Sequence, residues 1–168
     1  MDTVQDFEDL LALLEKHGVR HLIIGGLAFT YHAVPRYTKD MDLWIDPSRK
    51  NVERANQALA EFGSPASMEA GRPEEILQLG VAPDRIDLIR NVPGVRFETV
   101  WKKRIRGRYG SARTNWIDID SLIRIKGRID HPRHQEDARV LREVKRMRNR
   151  KKRKRKARKK TGKKTGSS

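Results

Sequence analysis

Between residues 3 and 17, TVQDFEDLLALLEKH places Phe7, Leu10, Leu11 and Leu14 at helical spacing. That recurrence predicts an amphipathic helix, with Thr3 as a candidate cap and Gly18 at its end. The pattern then shortens. HLIIG (21–25) reads as a short buried strand, and GLAFTYHA (26–33) as a short helix opened by two glycines and stopped by Pro35. MDLWI (41–45) is a second strand, and SRKNVERANQALAEF (48–62) a second amphipathic helix with Ser48 as a candidate cap. Residues 64–83, rich in Pro and Gly, predict irregular chain, followed by a third strand at RIDLIR (85–90) and a helical stretch at 96–104. RIRGRYGSARTNWI (104–117) has the form of a hairpin turning at Gly110 and Ser111. Two helices follow, one starting near Asp118 or Asp120 and one over HQEDARVLREVKRM (134–147). There is no internal repeat. Alternating helices and strands predict an α/β (α+β) class, with a small mixed β-sheet flanked by helices and a C-terminal helical segment.

Charge changes this picture at one end only. The chain has 168 residues and a net charge of +16, yet 15 of its 38 Lys and Arg lie in 145–168, where there is no acid. The remaining 23 basic and 22 acidic residues leave 1–144 at a net +1. The expectation is a nearly neutral domain over 1–148 and a basic tail over 149–168, its first part extending the last helix and the chain disordered past about residue 150 because it has no apolar stripe to bury. Such a tail would attract RNA or DNA by counterion release, without reading sequence. A solubilising extension is the plainer alternative. The absence of cysteine excludes a disulfide framework and a thiolate zinc site. No apolar run reaches the roughly 18 residues of a membrane span, and the acidic N-terminus is unlike a secretory signal. These features predict a soluble, cytoplasmic protein with no membrane partner.

The candidate chemistry lies in YTKDMDLWID (37–46). Asp40 and Asp42 are two residues apart, so in a strand they share a face, while Met41, Leu43 and Ile45 share the other. Neighbouring carboxylates repel unless a cation sits between them. RIDLIR sets a third acid, Asp87, between Ile86 and Leu88, where burial must be offset. If the two strands are neighbours, three carboxylates form a hard-oxygen site suited to Mg²⁺ (or Mn²⁺) and to phosphate oxygens. Gly25 and Gly26 close a strand and open a helix, allowing close backbone approach and presenting helix N–H groups to phosphate. Plainer readings exist for each group: solvated acids beside Arg36 and Lys39, an ion pair of Asp87 with Arg85 or Arg90, and a tight turn at the glycines. The five histidines show no metal-ligand spacing, and Trp44, Trp101 and Trp116 read as core.

Ile24-Gly25-Gly26, thirteen intervening residues, then Asp40-Met41-Asp42-Leu43 resembles the DNA polymerase β-type nucleotidyltransferase superfamily. With QLGVAPDRIDLI and LIRIKGRIDHPRHQEDARVL, the chain is similar to its small prokaryotic branch of minimal nucleotidyltransferases and AbiEii-like toxin–antitoxin proteins, over about residues 5–145. The resemblance implies the nucleotidyltransferase fold and a metal-dependent transfer of NMP from an NTP to a hydroxyl. The acceptor it implies is an RNA such as tRNA, or a partner protein in a toxin–antitoxin or phage-defence pair. Asp40 and Asp42 would then bind the nucleotide-borne metal, with Asp42 shared with a catalytic metal that Asp87 also holds. Gly25 and Gly26 would cradle the triphosphate, and Arg36, Lys39 and Lys126 would neutralise it. Two departures stand out: Gly-Gly where many members have Gly-Ser, and a long gap before the aspartates. A nucleic-acid-binding module with a vestigial transferase site is the alternative.

Overall fold

The computed structural model describes residues 4–38 and 40–162. Six helices and six strands follow in the order α1 (Gln5–Lys16), β1 (His21–Ile24), α2 (Gly25–His32), β2 (Asp40–Ile45), α3 (Arg49–Phe62), β3 (Leu77–Leu79), β4 (Arg85–Ile89), α4 (Phe97–Trp101), β5 (Ile105–Tyr109), β6 (Ala112–Trp116), α5 (Ile119–Arg128) and α6 (Pro132–Gly162). The class is mixed α/β, as the alternating pattern predicts. One six-stranded sheet runs in the order β3-β4-β2-β1-β6-β5. β2 pairs antiparallel with β1 and parallel with β4, and β1 pairs parallel with β6. The two outer pairs, β3–β4 and β5–β6, are antiparallel.

The apolar face of α1 is buried as its spacing requires: Phe7, Leu10, Leu11 and Leu14 enter the core, and α1 packs on α3 and β6. Met41, Leu43 and Ile45 on β2 are fully buried, so that face of the strand is core. α2 lies against β1 and β2 and touches α5 and α6, which pack on each other. His32, at the end of α2, is buried with Nε2 2.7 Å from the Ile117 carbonyl. The histidine thus ties α2 to the chain leaving β6.

Three local features depart from the sequence pattern. The 64–83 segment, expected to be irregular, contains the three-residue strand β3, which is too short to show alternation. Ser48 occupies the N-cap position of α3 without a side-chain capping bond, whereas Asp118 caps α5 by accepting from the N–H groups of Asp120 and Ser121. The third departure is at the C-terminus. Where the absence of an apolar stripe predicts disorder past about residue 150, α6 runs unbroken from Pro132 to Gly162. Lys, Arg and Ala are all good helix formers, and no Pro or Gly interrupts before Gly162. Thr3 lies outside the described residues, as does the end of the tail beyond Gly162. No described helix is long and apolar enough to cross a membrane.

Candidate functional site

Parallel pairing of β2 with β4 sets Asp40 beside Arg85 and Asp42 beside Asp87. Residues opposite one another in register share a face, so the three aspartates and Arg85 project together. The sheet order is what joins the two acidic strands: β4 lies between β3 and β2, directly against the latter. On the other flank of β2, Ile24 pairs with Asp42 and delivers the turn into α2 beside the carboxylates.

Gly25 makes that turn possible in two ways. Its φ is +66°, a conformation that L side chains rarely adopt, and a Cβ there would lie 1.9 Å from Oδ2 of Asp42. A Cβ on Gly26 would approach Thr38 Cγ2 to 2.9 Å. Among the described residues, no side chain caps the N-terminus of α2. The uncapped helix start therefore adjoins the aspartates at close range.

The carboxylates are not left without a counter-charge. Arg85 Nη2 lies 2.9 Å from Oδ2 of Asp40 and 3.0 Å from Oδ2 of Asp87, one guanidinium bridging both acids. The ion pair of Asp87 with Arg85, one of the plainer readings, is present; Arg90 instead donates to the carbonyls of Glu69 and Arg72. Among the described residues, no three His, Asp or Glu side chains converge in metal-ligating geometry; the guanidinium takes up one oxygen each of Asp40 and Asp87. Their remaining Oδ1 atoms are buried and make no hydrogen bond to a described residue. The Asp42 carboxyl is crowded by acids. Burial, and then the negative charges of Asp87 and Asp40, push it up to about 6. Two orphaned carboxylate oxygens and one crowded carboxyl are a donor set that a divalent cation fits, since hard oxygens and negative charge are what Mg²⁺ and Mn²⁺ bind.

Across from the aspartates stands a second buried charge cluster. Lys126 on α5 and Asp137 on α6 are each 4% exposed at the side chain, and Lys126 Nζ donates to Asp137 Oδ2 over 2.7 Å. Arg36 grips the same carboxylate with both terminal nitrogens, at 2.5 and 3.1 Å. Its guanidinium carbon sits 4.3 Å from the centre of the Phe29 ring. Burial alone would raise the Asp137 carboxyl, but the hydrogen bonds and charges of Arg36 and Lys126 hold it below its usual range. Burial also pushes the Lys126 ammonium down, against the pull of Asp137.

Gly25, Gly26, Arg36, Asp40, Asp42 and Lys126 line one cavity of about 430 Å³, together with Tyr37, Thr38, Arg133, His134 and Asp137. Asp87 adjoins it through Asp42, its partner in register. Lys39 lies outside the described residues. Two participants are not evident from the sequence reading. In one dimension Arg85 is no more than a neighbour of Asp87; its role as a bridge between two strands appears only with the sheet. Asp137 carries a usable signal: it occupies the apolar face of α6, four residues before Leu141 and seven before Val144. An acid at a core-facing helix position requires buried cations.

No protein-family model matches the chain, and no curated protein matches it.

Proposed function

We propose that the protein is a metal-dependent nucleotidyltransferase of the DNA polymerase β type, close to the small prokaryotic toxin–antitoxin branch. The observation that carries this reading is the β2–β4 register. It sets Asp87 beside Asp42, with Asp40 on the same face and the Gly25-Gly26 turn touching Asp42. Asp40, Asp42 and Asp87 would hold one or two Mg²⁺ or Mn²⁺ ions, which when bound polarise phosphate oxygens and neutralise developing charge. Gly25 and Gly26 receive the triphosphate against the start of α2. Lys126 and Arg36, now held by Asp137, supply positive charge at the cavity wall. The acceptor hydroxyl oxygen bonds to the α-phosphorus, the bond to the bridging oxygen breaks, and pyrophosphate leaves. Asp87 orients the hydroxyl and takes up its proton. The positioning of these charged groups, more than any covalent chemistry by the protein, lowers the barrier.

The basic helix α6 favours an RNA acceptor such as tRNA over a hydroxyl on a partner protein. The test is label transfer from each α-³²P NTP with Mg²⁺, using the protein alone, with total tRNA, and with lysate. Label on RNA that is lost in Asp42→Asn supports an RNA nucleotidyltransferase, and label on a protein band points to a partner system. One observation favours a second reading, a nucleic-acid-binding module with a vestigial site: Arg85 already satisfies Asp40 and Asp87. NTP binding that is indifferent to Mg²⁺ and to Asp42→Asn, with no label transferred, would select that reading.

A further inference from the structure

The β5–β6 hairpin and the three residues leading into it hold a concentration of charge that the carboxylate site does not use. Lys102, Lys103, Arg104, Arg106, Arg108 and Arg113 fall within twelve residues. Pairing sets Arg106 opposite Asn115 and Arg108 opposite Arg113. Opposite residues, and residues two apart on one strand, share a face. Arg106, Arg108 and Arg113 therefore project together, and with Arg104 and Trp101 they line a concavity of about 610 Å³.

This arrangement costs the free protein stability. Like charges directly opposite each other in a sheet repel, and Arg108 faces Arg113. Among the described residues, no carboxylate forms an ion pair with any of the four arginines. Among the described residues, Glu15 is the one acid lining the concavity. Arg104 lies with its guanidinium carbon 3.9 Å from the centre of the Trp101 ring, and its Nε is buried without a hydrogen-bond partner among the described residues. Burial, Arg106 and Arg20 all push the Arg104 guanidinium below its ordinary value. The crowding is local, because residues 1–144 carry a net charge of only +1.

We infer that this face of the hairpin binds the sugar–phosphate backbone of a nucleic acid, as a contact surface separate from α6. Guanidinium groups match phosphate oxygens in pairs, which a lysine cannot do. Arg106 and Arg108 are about 6.8 Å apart along the strand, a spacing suited to successive phosphates of one nucleic-acid strand. β5 is the edge of the sheet, so a long polyanion can lie along it without displacing another element. Trp101, the one aromatic ring among the described residues that line the concavity, is covered by Arg104 and Arg20 and stacked on Phe97. Binding there is by charge and shape, without base readout. The inference is independent of the transferase reading and is tested without NTP.

The experiment measures anisotropy of fluorescein-labelled oligouridylate, and of labelled tRNA, against the full chain over a salt series. The hairpin variant is Arg106→Gln/Arg108→Gln/Arg113→Gln. A control, Arg49→Gln/Lys50→Gln/Arg54→Gln, removes the same charge from the exposed face of α3. Each phosphate deprived of its guanidinium partner lowers the slope of log K against log salt by about 0.7 for a single strand. The hairpin variant is expected to lower it by about 2 and weaken binding on the order of 100-fold at 0.1 M salt, while the control barely changes it. A thermal midpoint at or above wild type in the hairpin variant confirms that the fold is intact. An unchanged slope in the hairpin variant overturns the inference and leaves an acidic protein as the partner to examine. An equal fall in the α3 control overturns it as well, since net charge would then account for the effect.

Discussion

At Asp42 the requirements of stability and of the proposed chemistry oppose each other. Its carboxyl ionises at about 6 in the folded chain, against 3.8 ordinarily, so the folded state holds a proton that the unfolded state releases between those values. Stability contributed by the neutral acid is therefore present below about pH 4 and falls as pH rises toward 6. The shift corresponds to about 3 kcal/mol, an upper figure because the site relaxes and admits water. In the absence of divalent cations, Asp42→Asn is expected to raise the thermal midpoint by several degrees at pH 7.5 and by about a third as much at pH 4.5. Saturating Mg²⁺ should narrow that gap by stabilising the wild type alone. A midpoint for Asp42→Asn that is lower than wild type at pH 7.5 without metal would sink the account of Asp42 as a crowded acid. Gly25 is the second residue on which the site depends. Gly25→Ala forces a left-handed backbone onto alanine, at a cost of about 1–2 kcal/mol, and drives the methyl into the Asp42 carboxylate. We expect loss of label transfer with the overall circular dichroism retained; a Gly25→Ala protein with wild-type transfer would show that the turn does not serve the phosphates.

Between elements, the bonds that matter most join residues far apart in the chain. Arg36, in the segment between α2 and β2, and Lys126 on α5 converge on Asp137 of α6. Removing the acid leaves a buried ammonium and a guanidinium unpaired, and breaking such a buried pair costs about 3–5 kcal/mol. Asp137→Ala should lower the urea midpoint accordingly, whereas Asp137→Glu, which keeps the charge, should recover part of the stability. Equal stability in Asp137→Ala and wild type would mean that the triad is not a structural bond. These long-range pairs also explain what a single sequence conceals. Periodicity makes α1, α3 and the hairpin turn at Gly110 and Ser111 legible, because a helix face or a two-residue turn is written in adjacent residues. The spacing of Asp40 and Asp42 likewise announces a shared face. Sheet order is not local: nothing in RIDLIR states that it pairs in parallel with DMDLWI and puts Asp87 against Asp42, so from sequence that pairing is only a condition. Arg85 as a bridge follows from the same register and is hidden with it. At the C-terminus the amphipathic signal stops, but helix propensity does not. A reading based on burial expects disorder past about residue 150, about twelve residues before α6 ends at Gly162.

On the scale of the whole molecule, charge is divided between a domain and an arm. α6 is anchored at Lys145, whose ammonium lies 2.6 Å from Asp120, and at Arg148, which donates to the His32 carbonyl over 2.7 Å. Beyond Arg148 the described side chains are exposed as far as Lys159. Nothing in that segment contributes to the core, while 12 of the 15 basic residues from Lys145 onward lie beyond Asn149. The arm's charges repel one another along the helix, which like-charge pairs at i, i+4 destabilise by a few tenths of a kcal/mol each. A polyanion lying along the arm relieves that repulsion and releases its own counterions. Terminating the chain after Asn149 keeps both anchors and removes the repulsion. We expect the thermal midpoint to be unchanged and the affinity for tRNA to fall steeply at low salt, converging on that of the full chain as salt rises. In the full chain, adding tRNA should increase helical circular dichroism; in the shortened chain it should not. If the shortened chain binds tRNA with the same salt slope as the full one, the arm is not the polyanion contact, and the arginines of the β5–β6 hairpin would have to supply the whole of it.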